Sequence, residues 1–397
     1  MAIRLTYARH LSPWWRLMNL DGHDSGERRV LVASICAYNI ASFSWWAQPV
    51  IVNTLLASPG EMSRHAGGLV SIELTAVAVV AFMLAPLVSR MPVVFACFLA
   101  GMIAVAANAI SGFVDSYQIL FGCRAVAGIA EGVLLALGNA MPANMSKPGH
   151  AYALLTTWNV AAGVALLVVL TALGDHFGAT GVFLAIAAAC LSMIPYLGSL
   201  PRRMLAEATA MPPGGLPSVL GLAVMATWGT ASAMLWAYMI PIGLASGVKE
   251  TVASLVAAVA AGGGLVGGAV AAYIATKTGR LVPMIVALFL ETVIFLLLTH
   301  GVPAWMFIAL APTAIALVYF LLPMLLAMAA DFDRSGSLAA AMAAMFVLNG
   351  GLGPLIGGYI VSRFGLGGIG WAMLFCATFA TACVTILHLH QPRQRHT

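Results

Sequence analysis

An arginine and a glutamate lie inside one long apolar stretch of this chain, residues 117–140. The stretch reads YQILFGCRAVAGIAEGVLLALGNA and places Arg124 and Glu131 seven residues apart. Seven residues are two helical turns, so both side chains lie on one face of a helix. Each charge at membrane depth costs at least about 2.5 kcal/mol, so this face must contact a protein interior or a water-filled cavity. The chemistry that this pattern favours is proton or ion movement across a membrane.

Glu73 lies in another apolar run, and it offers Arg124 a partner. Each of the two residues falls about seven positions, or about 10 Å, from the same end of its predicted helix. Arg124 also leans toward its own N-terminus and away from Glu131. We therefore predict a Glu73–Arg124 ion pair, for which a fixed link between helices is the alternative role.

Glu131 then lies near mid-membrane without an evident basic partner. Burial favours the neutral form of an isolated carboxyl group, so this residue is our candidate for loading and releasing a proton. Arg124 and Glu73 would set the local field. The alternative is a permanently neutral Glu131 that donates one hydrogen bond between helices.

The composition places these residues in a membrane protein. The 397 residues are 62% hydrophobic and 8% charged, with a mean hydropathy of +0.99. These values are far from those of a soluble domain. We interpret the net charge of +5 as a consequence of topology and predict no nucleic-acid partner. The six cysteines lie in apolar runs without a CxxC pair, so we predict neither disulfides nor a metal site.

Apolar runs bounded by proline, glycine and charge predict twelve membrane-spanning helices. The predicted spans are 30–56, 66–88, 91–112, 117–141, 150–173, 179–200, 217–245, 249–275, 281–300, 303–329, 336–362 and 366–390. A charged, proline-rich loop at 201–216 divides them into six and six. We predict an all-α polytopic protein with bundles at 30–200 and 217–390, and cytoplasmic tails at 1–29 and 391–397.

The distribution of basic residues tests this topology. With a cytoplasmic N-terminus, fourteen of the 18 lysines and arginines fall on the cytoplasmic side, three fall outside and Arg124 lies in the membrane. The fourteen are Arg4, Arg9, Arg16, Arg28, Arg29, Arg90, Lys147, Arg202, Arg203, Lys277, Arg280, Arg334, Arg393 and Arg395. Because a miscounted helix would destroy this bias, it supports twelve spans, both termini cytoplasmic and the loop at 201–216 on the same side. The alanine- and glycine-rich make-up and short loops favour a bacterial inner membrane.

The second half of the chain repeats features of the first at an offset of 190 residues. ASFSWWAQ (41–48) aligns with ASAMLWAY (231–238), and Asn159 with Gly163 aligns with Asn349 and Gly353. These matches favour a duplication of a six-helix unit.

Twelve spans, a repeat of six, a charged central loop and cytoplasmic termini together resemble the major facilitator superfamily over essentially residues 30–390. RAVAG (124–128) resembles the fourth-helix arginine motif of its proton-coupled antiporters. The Gly-Pro segment 353–358 resembles an antiporter motif, but it lies in the eleventh helix, and the loops at 89–92 and 276–280 retain only part of the family's loop motif. The resemblance implies two halves that alternate access, a small-molecule substrate, a proton gradient as driving force without a cofactor, and a monomer.

The resemblance also implies that the first, fourth and seventh helices line a central cavity. An apolar wall with polar tips there suits an amphipathic or aromatic substrate. The predicted substrate residues are Trp45, Trp46, Gln48, Asn39, Trp158, Asn159, Trp236, Tyr238 and Asn349. Glu291 lies in the ninth helix, at the family's bundle periphery, so hydrogen-bonded packing is the alternative to its role in proton coupling.

The sequence leaves several functions open. Efflux by antiport is favoured by the arginine motif, but Arg124 would also hold the carboxylate of an imported organic acid. Methionine pairs four residues apart, Met141 with Met145 and Met324 with Met328, are expected on one helical face near the inner ends of the fourth and tenth helices. They would suit copper import, although we predict no metal site. A membrane enzyme lacks a nucleophile–base constellation in this sequence, while a non-transporting sensor on a transporter fold stays possible.

Overall fold

The computed structural model describes residues 25–142, 145–146, 148–201, 215–275, 280–333 and 337–390. Within these ranges the chain is α-helical and has no strand, and twelve helices are long and apolar enough to cross a membrane. Most of the two predicted tails and of the central loop lies outside the described residues. The predicted twelve-helix, all-α architecture is confirmed.

Six helices form each half of the chain. The first half contains α1 (Ser25–Leu56), α2 (Ala66–Leu84), α3 (Val93–Ser111), α4 (Tyr117–Ala140), α5 (His150–Gly174) and α6 (His176–Ser199). The second half contains α7 (Leu216–Ala245), α8 (Glu250–Ala275), α9 (Leu281–Thr299), α10 (Ala304–Phe332), α11 (Ser337–Phe364) and α12 (Gly367–His390). A four-residue helix, Glu61–Arg64, lies between α1 and α2.

Two boundaries have a clear local cause. Helix α1 begins at Ser25, five residues before the predicted start, and carries Glu27 in its first turn, where an acidic side chain favours a helix N-terminus. The backbone is helical from Pro148 to Met193 except at Gly178, whose φ of 57° lies in the left-handed region that glycine adopts freely. The chain therefore reverses at this glycine, within the first turn of α6.

The twelve spans alternate in direction, so the start of α1 and the end of α12 lie on one side of the bundle. We name this the termini side and the opposite side the distal side. The two halves meet where α1 packs on α7, α2 on α11, and the α5–α6 segment on α8. Large apolar side chains such as Phe82, Phe289 and Phe375 are exposed on the outer surface, as expected for helices surrounded by lipid.

Candidate functional site

A cluster of ionisable residues lies in the interior of the first half. The structure places Arg124 Nη1 on α4 2.8 Å from Glu73 Oε1 on α2, the pairing that equal depth predicts. Both side chains are essentially fully buried, as is Glu131. We refer to Ser44, Glu73, Arg124 and Glu131 together as the carboxyl cluster.

Helix α3 supplies further acceptors to the guanidinium of Arg124. Nη1 donates to Asn108 Oδ1 at 3.1 Å, and Nη2 donates to Ser111 Oγ at 2.7 Å and to the Ala107 carbonyl at 3.3 Å. The ring of Phe183 lies 4.7 Å from the guanidinium carbon. The charge of Arg124 is therefore satisfied by three helices, which is how a buried cation avoids a large desolvation cost. Sequence reasoning missed Asn108 and Ser111.

Ser44 on α1 connects the two carboxyl groups. Its Oγ lies 2.9 Å from Glu73 Oε1 and 2.9 Å from Glu131 Oε1. A hydroxyl has a single hydrogen, so it donates to one carboxyl group and accepts from the other, which must then carry a proton. Because Glu73 Oε1 also accepts from Arg124, charge balance makes Glu131 the protonated partner.

Glycines on α4 allow the helices to approach closely enough for these contacts. A Cβ at Gly128 would collide with the backbone carbonyl of Glu73, and a Cβ at Gly132 would collide with Val80 on α2. The spacing of Arg124 and Gly128 therefore determines where α2 approaches α4. The glycine brings α2 against α4 one turn below the arginine, and this places Glu73 within its reach.

Three polar atoms of the carboxyl cluster are buried without a hydrogen-bond partner: Glu73 Oε2, Glu131 Oε2 and Arg124 Nε. An unsatisfied buried polar group costs about 1–3 kcal/mol, so proteins seldom retain several in one place. Their concentration here marks the carboxyl cluster as a candidate functional site.

Aromatic side chains from both halves surround a small cavity next to α1. Its lining includes Trp45 and Trp46 from α1, Trp236 from α7, Tyr319 from α10 and Phe346 from α11. The rings of Trp46 and Trp236 meet edge to face with centroids 6.0 Å apart. The cavity volume is about 20 Å³, which holds about one water molecule, so an organic molecule requires the halves to move apart.

The predicted substrate residues divide into two groups. Trp45, Trp46 and Trp236 line the cavity, and the other six lie outside its lining. Gln48 bonds across to the second half, donating to the Gly350 carbonyl at 2.7 Å. Tyr238 makes its contact within the second half, where its hydroxyl lies 3.5 Å from the Pro354 carbonyl.

The asparagines connect helices within each half. Asn159 on α5 donates to Asn39 at 2.9 Å and accepts from Trp46 at 3.0 Å, both on α1. Asn349 on α11 donates to the carbonyl of Met225 at 2.7 Å and accepts from Thr230 at 3.1 Å, both on α7. The aligned asparagines thus make equivalent contacts to aligned helices. Their amide groups are engaged by the protein, and their proposed contact with substrate stays a prediction.

Two prolines free carbonyl groups that then accept hydrogen bonds across the two halves. Pro49 has no N–H to offer the Trp45 carbonyl, and Trp236 Nε1 donates to that carbonyl at 3.0 Å. Pro354 likewise frees the carbonyl of Gly350, which accepts from Gln48. These helix interruptions serve to join the halves.

Further contacts between the halves lie nearer to the distal side. Ser71 on α2 donates to the Gly351 carbonyl on α11 at 2.5 Å. Asn53, near the distal end of α1, donates to the carboxylate of Glu250 at the start of α8. We refer to Asn53, Ser71, Glu250 and Gly351 as the distal contact.

Glu291 lies in a peripheral helix, but its side chain points inward. Exposed residues such as Phe289 place one face of α9 against lipid. The carboxylate of Glu291 is fully buried and accepts from Trp228 Nε1 at 2.8 Å and from Ser232 Oγ at 3.2 Å, both on α7. Glu291 therefore has the expected hydrogen-bonded packing and is also connected to the cavity, because its partner Ser232 is one of the lining residues.

One of the methionine pairs does not have the expected geometry. Helix α4 ends at Ala140, before Met145, whose N–H bonds to the Pro142 carbonyl. Met141 and Met145 therefore do not share a helical face, which corrects that expectation. Met324 and Met328 are both buried within α10. In the part of the chain that the structure describes, no group of three His, Cys, Asp or Glu side chains could hold a metal ion.

No protein-family model and no curated protein matches the sequence. Solved structures do match the fold. A POT family transporter in complex with 5-aminolevulinic acid has a TM-score of 0.73 at 12% identity, covering 95% of this chain and 98% of that chain. A point mutant of the nucleoside transporter NupG has a TM-score of 0.65 at 11% identity, covering 92% of this chain and 99% of that chain.

A bacterial homolog of the human lysosomal transporter Spinster, in an inward-facing and unoccupied conformation, has a TM-score of 0.62 at 16% identity, covering 93% of this chain and 96% of that chain. At these identities the likeness shows the fold alone. This chain has the fold of the major facilitator superfamily: an integral, multi-pass membrane protein of two six-helix halves.

Proposed function

We propose that this protein is a proton-coupled secondary transporter that moves a small amphipathic or aromatic organic molecule by alternating access. Efflux by antiport is the favoured direction, in a bacterial inner membrane and as a monomer. Structures with this fold include transporters for different solutes, which supports transport over an enzymatic role.

The observation that carries the proposal is the single hydroxyl of Ser44 between Glu73 and Glu131. One cation, Arg124, neutralises one carboxylate, so the second carboxyl group remains buried only while it holds a proton. When Glu131 becomes accessible to water it can release that proton, and it must bind another before it is buried again. This cycle is the requirement for coupling transport to a proton gradient.

Helix α1 supplies a direct connection between the carboxyl cluster and the cavity. Ser44 faces the carboxyl groups, while the next residue, Trp45, lines the cavity and packs against Gly350 of α11. A change in the Ser44 contacts therefore moves an aromatic wall of the cavity. Conversely, a bound molecule that displaces Trp45 would disturb the proton site.

The contacts between the halves support a conformation of the transport cycle that is closed on the distal side. The distal contact joins them away from the termini side, and the positive-inside rule assigns the termini to the cytoplasm. We propose that the distal contact is the closed external gate, and that its separation accompanies opening to the outside.

The alternative functions receive less support from the site. Arg124 already donates to Glu73, Asn108, Ser111 and a backbone carbonyl, so an imported organic acid would have to displace one of these acceptors. The end of α4 before Met145 weakens the proposed copper site. A sensor on a transporter fold would not move protons in response to a solute, so the measurement of proton movement separates it from a transporter.

Proteoliposomes that contain a pH-sensitive dye test the proposal. A panel of small aromatic cations, neutral compounds and acids is added outside, and internal pH is followed for wild type and Glu131→Gln. We expect one class of compound to drive proton movement in wild type only, and its direction distinguishes antiport from symport. Glu61→Gln removes an exposed carboxyl outside both the cluster and the distal contact and is the matched control for folding and insertion. Solute transport by wild type without any proton movement would contradict the proposal.

A further inference from the structure

The cavity between the halves has the composition of a site for an organic cation. Five aromatic rings line it, contributed by Trp45, Trp46, Trp236, Tyr319 and Phe346, together with aliphatic groups and the hydroxyl of Ser232. No lysine, arginine or histidine is among the lining residues that the structure describes. Aromatic faces attract cations by their quadrupole, most strongly where water is excluded.

A buried carboxyl group lies directly behind this wall. Glu291 Oε1 is 3.2 Å from Ser232 Oγ, a polar group of the lining. The carboxylate's other oxygen accepts from Trp228, whose ring stacks on Phe346 with centroids 6.2 Å apart. Glu291 is thus connected to the cavity through two of its lining residues.

Among the described residues, no basic side chain contacts Glu291, in contrast to Glu73 with Arg124. A buried carboxyl group of this kind requires either a proton or a positive partner. The second half therefore contains an acid that either holds a proton or takes a positive partner from outside the described residues, and a bound cation could replace that proton.

We propose that the transported molecule is an organic cation, a quaternary or protonated amine with an apolar or aromatic body, and that Glu291 is its counter-charge. This inference rests on the proposed function, for which it names the substrate class. The ammonium group lies within the aromatic lining. Ser232 Oγ lies 3.0 Å from the Trp228 carbonyl and 3.2 Å from Glu291 Oε1, so its single hydrogen has two acceptors within reach. When an N–H of a protonated amine donates to Ser232 Oγ, we expect the serine hydrogen to turn to Glu291, so that one hydroxyl links the two charges.

The lining residues come from α1, α7, α10 and α11, and so from both halves. Separation of the halves on the termini side enlarges the cavity without removing Ser232 or Glu291, because both belong to the second half. The cation site therefore persists when the cavity opens.

Calorimetric titration of the purified protein in detergent micelles tests the inference with three water-soluble probes of similar size: benzyltrimethylammonium, benzyl alcohol and benzoate. We expect wild type to bind the cation most tightly. In Glu291→Gln, affinity for the cation should fall by at least about tenfold through loss of the ion–ion attraction, while affinity for benzyl alcohol stays within about twofold. Retained benzyl alcohol binding shows that the variant is folded.

Asp331→Asn is the matched control, because it removes a negative charge from the same half at a half-exposed ion pair with Arg280. It should leave all three affinities unchanged. Ser232→Ala should weaken binding of a primary amine, benzylamine, more than binding of benzyltrimethylammonium, which has no N–H to donate.

Equal or tighter binding of benzoate or benzyl alcohol by wild type would overturn the inference, as would unchanged cation affinity in Glu291→Gln. Absence of benzyltrimethylammonium binding up to about 10 mM would also overturn it. Cation binding without proton movement in proteoliposomes would instead refute proton-coupled transport and leave the substrate class standing. Proton-coupled transport of an acid would support the proposed function and refute the organic cation as the substrate class.

Discussion

Replacement of Ser44 by alanine removes a single oxygen that contacts two buried carboxyl groups. Glu73 keeps its bond from Arg124, but Glu131 loses the partner of Oε1 when its Oε2 already has none. A buried polar group left unsatisfied costs about 1–3 kcal/mol. We therefore expect Ser44→Ala to destabilise the closed carboxyl cluster by about 2 kcal/mol, or roughly a factor of 30 in the balance between conformations.

The assay measures protons moved per substrate molecule in proteoliposomes, together with the apparent melting temperature in detergent. Ser42→Ala is the matched control, since the Ser42 hydroxyl bonds only to the Tyr38 carbonyl of its own helix, at 2.7 Å. The control should behave as wild type within about 0.5 kcal/mol. Proton coupling in Ser44→Ala equal to that of the control would refute the role assigned to the bridge.

Three further predictions concern packing, charge and gating. Gly128→Ala should destabilise the protein by about 1–3 kcal/mol, because its Cβ collides with the Glu73 carbonyl. Gly122→Ala on the same helix, where a Cβ meets open space, should be neutral or stabilising by up to about 1 kcal/mol in thermal unfolding; equal effects of the two changes would contradict this packing. Arg124→Gln should cost about 3–5 kcal/mol, and the double variant with Glu73→Gln should recover part of that loss, as a double-mutant cycle would measure. No recovery would show that the pair is not the main interaction of Arg124. Asn53→Ala should weaken the distal contact and increase the labelling rate of a cysteine introduced at Ser71, relative to the same cysteine in an otherwise wild-type chain; an unchanged rate would exclude a gating role for Asn53.

The parts of the site that sequence reasoning reached follow from simple geometry. Equal depth and the backward tilt of helical side chains were sufficient to pair Arg124 with Glu73 and to leave Glu131 apart. The charge pattern and apolar run lengths similarly predicted helix positions to within a few residues. Trp46 and Trp236 were recognisable because the tryptophan recurs at the same position of both halves, while Trp45 aligns with Leu235.

Ser44 could not have been identified in the same way. Serines and threonines in apolar helices commonly bond to the carbonyl four residues earlier, as Ser34, Ser42 and Thr54 do here. Nothing in the sequence distinguishes the one serine that faces two carboxyl groups. Its position depends on how α1 rotates against α2 and α4, which is a property of tertiary packing.

The asparagines and prolines had informative signals of another kind. Asn159 and Asn349 recur at the repeat offset, and the structure places both in ties between helices of one half. The recurrence of these asparagines therefore reflects bonds that hold each six-helix unit together. It is not by itself a signal for substrate contact. Each proline within a helix also leaves a free carbonyl four residues earlier, a rule that identifies Trp45 and Gly350 from the positions of Pro49 and Pro354.

The measurement that tests the central claim most directly compares two modes of transport in Glu131→Gln. A radiolabelled compound that drives proton movement in wild-type proteoliposomes is used first with a pH gradient, and then in exchange against the same unlabelled compound without a gradient. If Glu131 carries the coupling proton, the variant loses gradient-driven transport but retains exchange, because its neutral amide mimics the protonated carboxyl. Gradient-driven transport at the wild-type rate in Glu131→Gln would contradict the account.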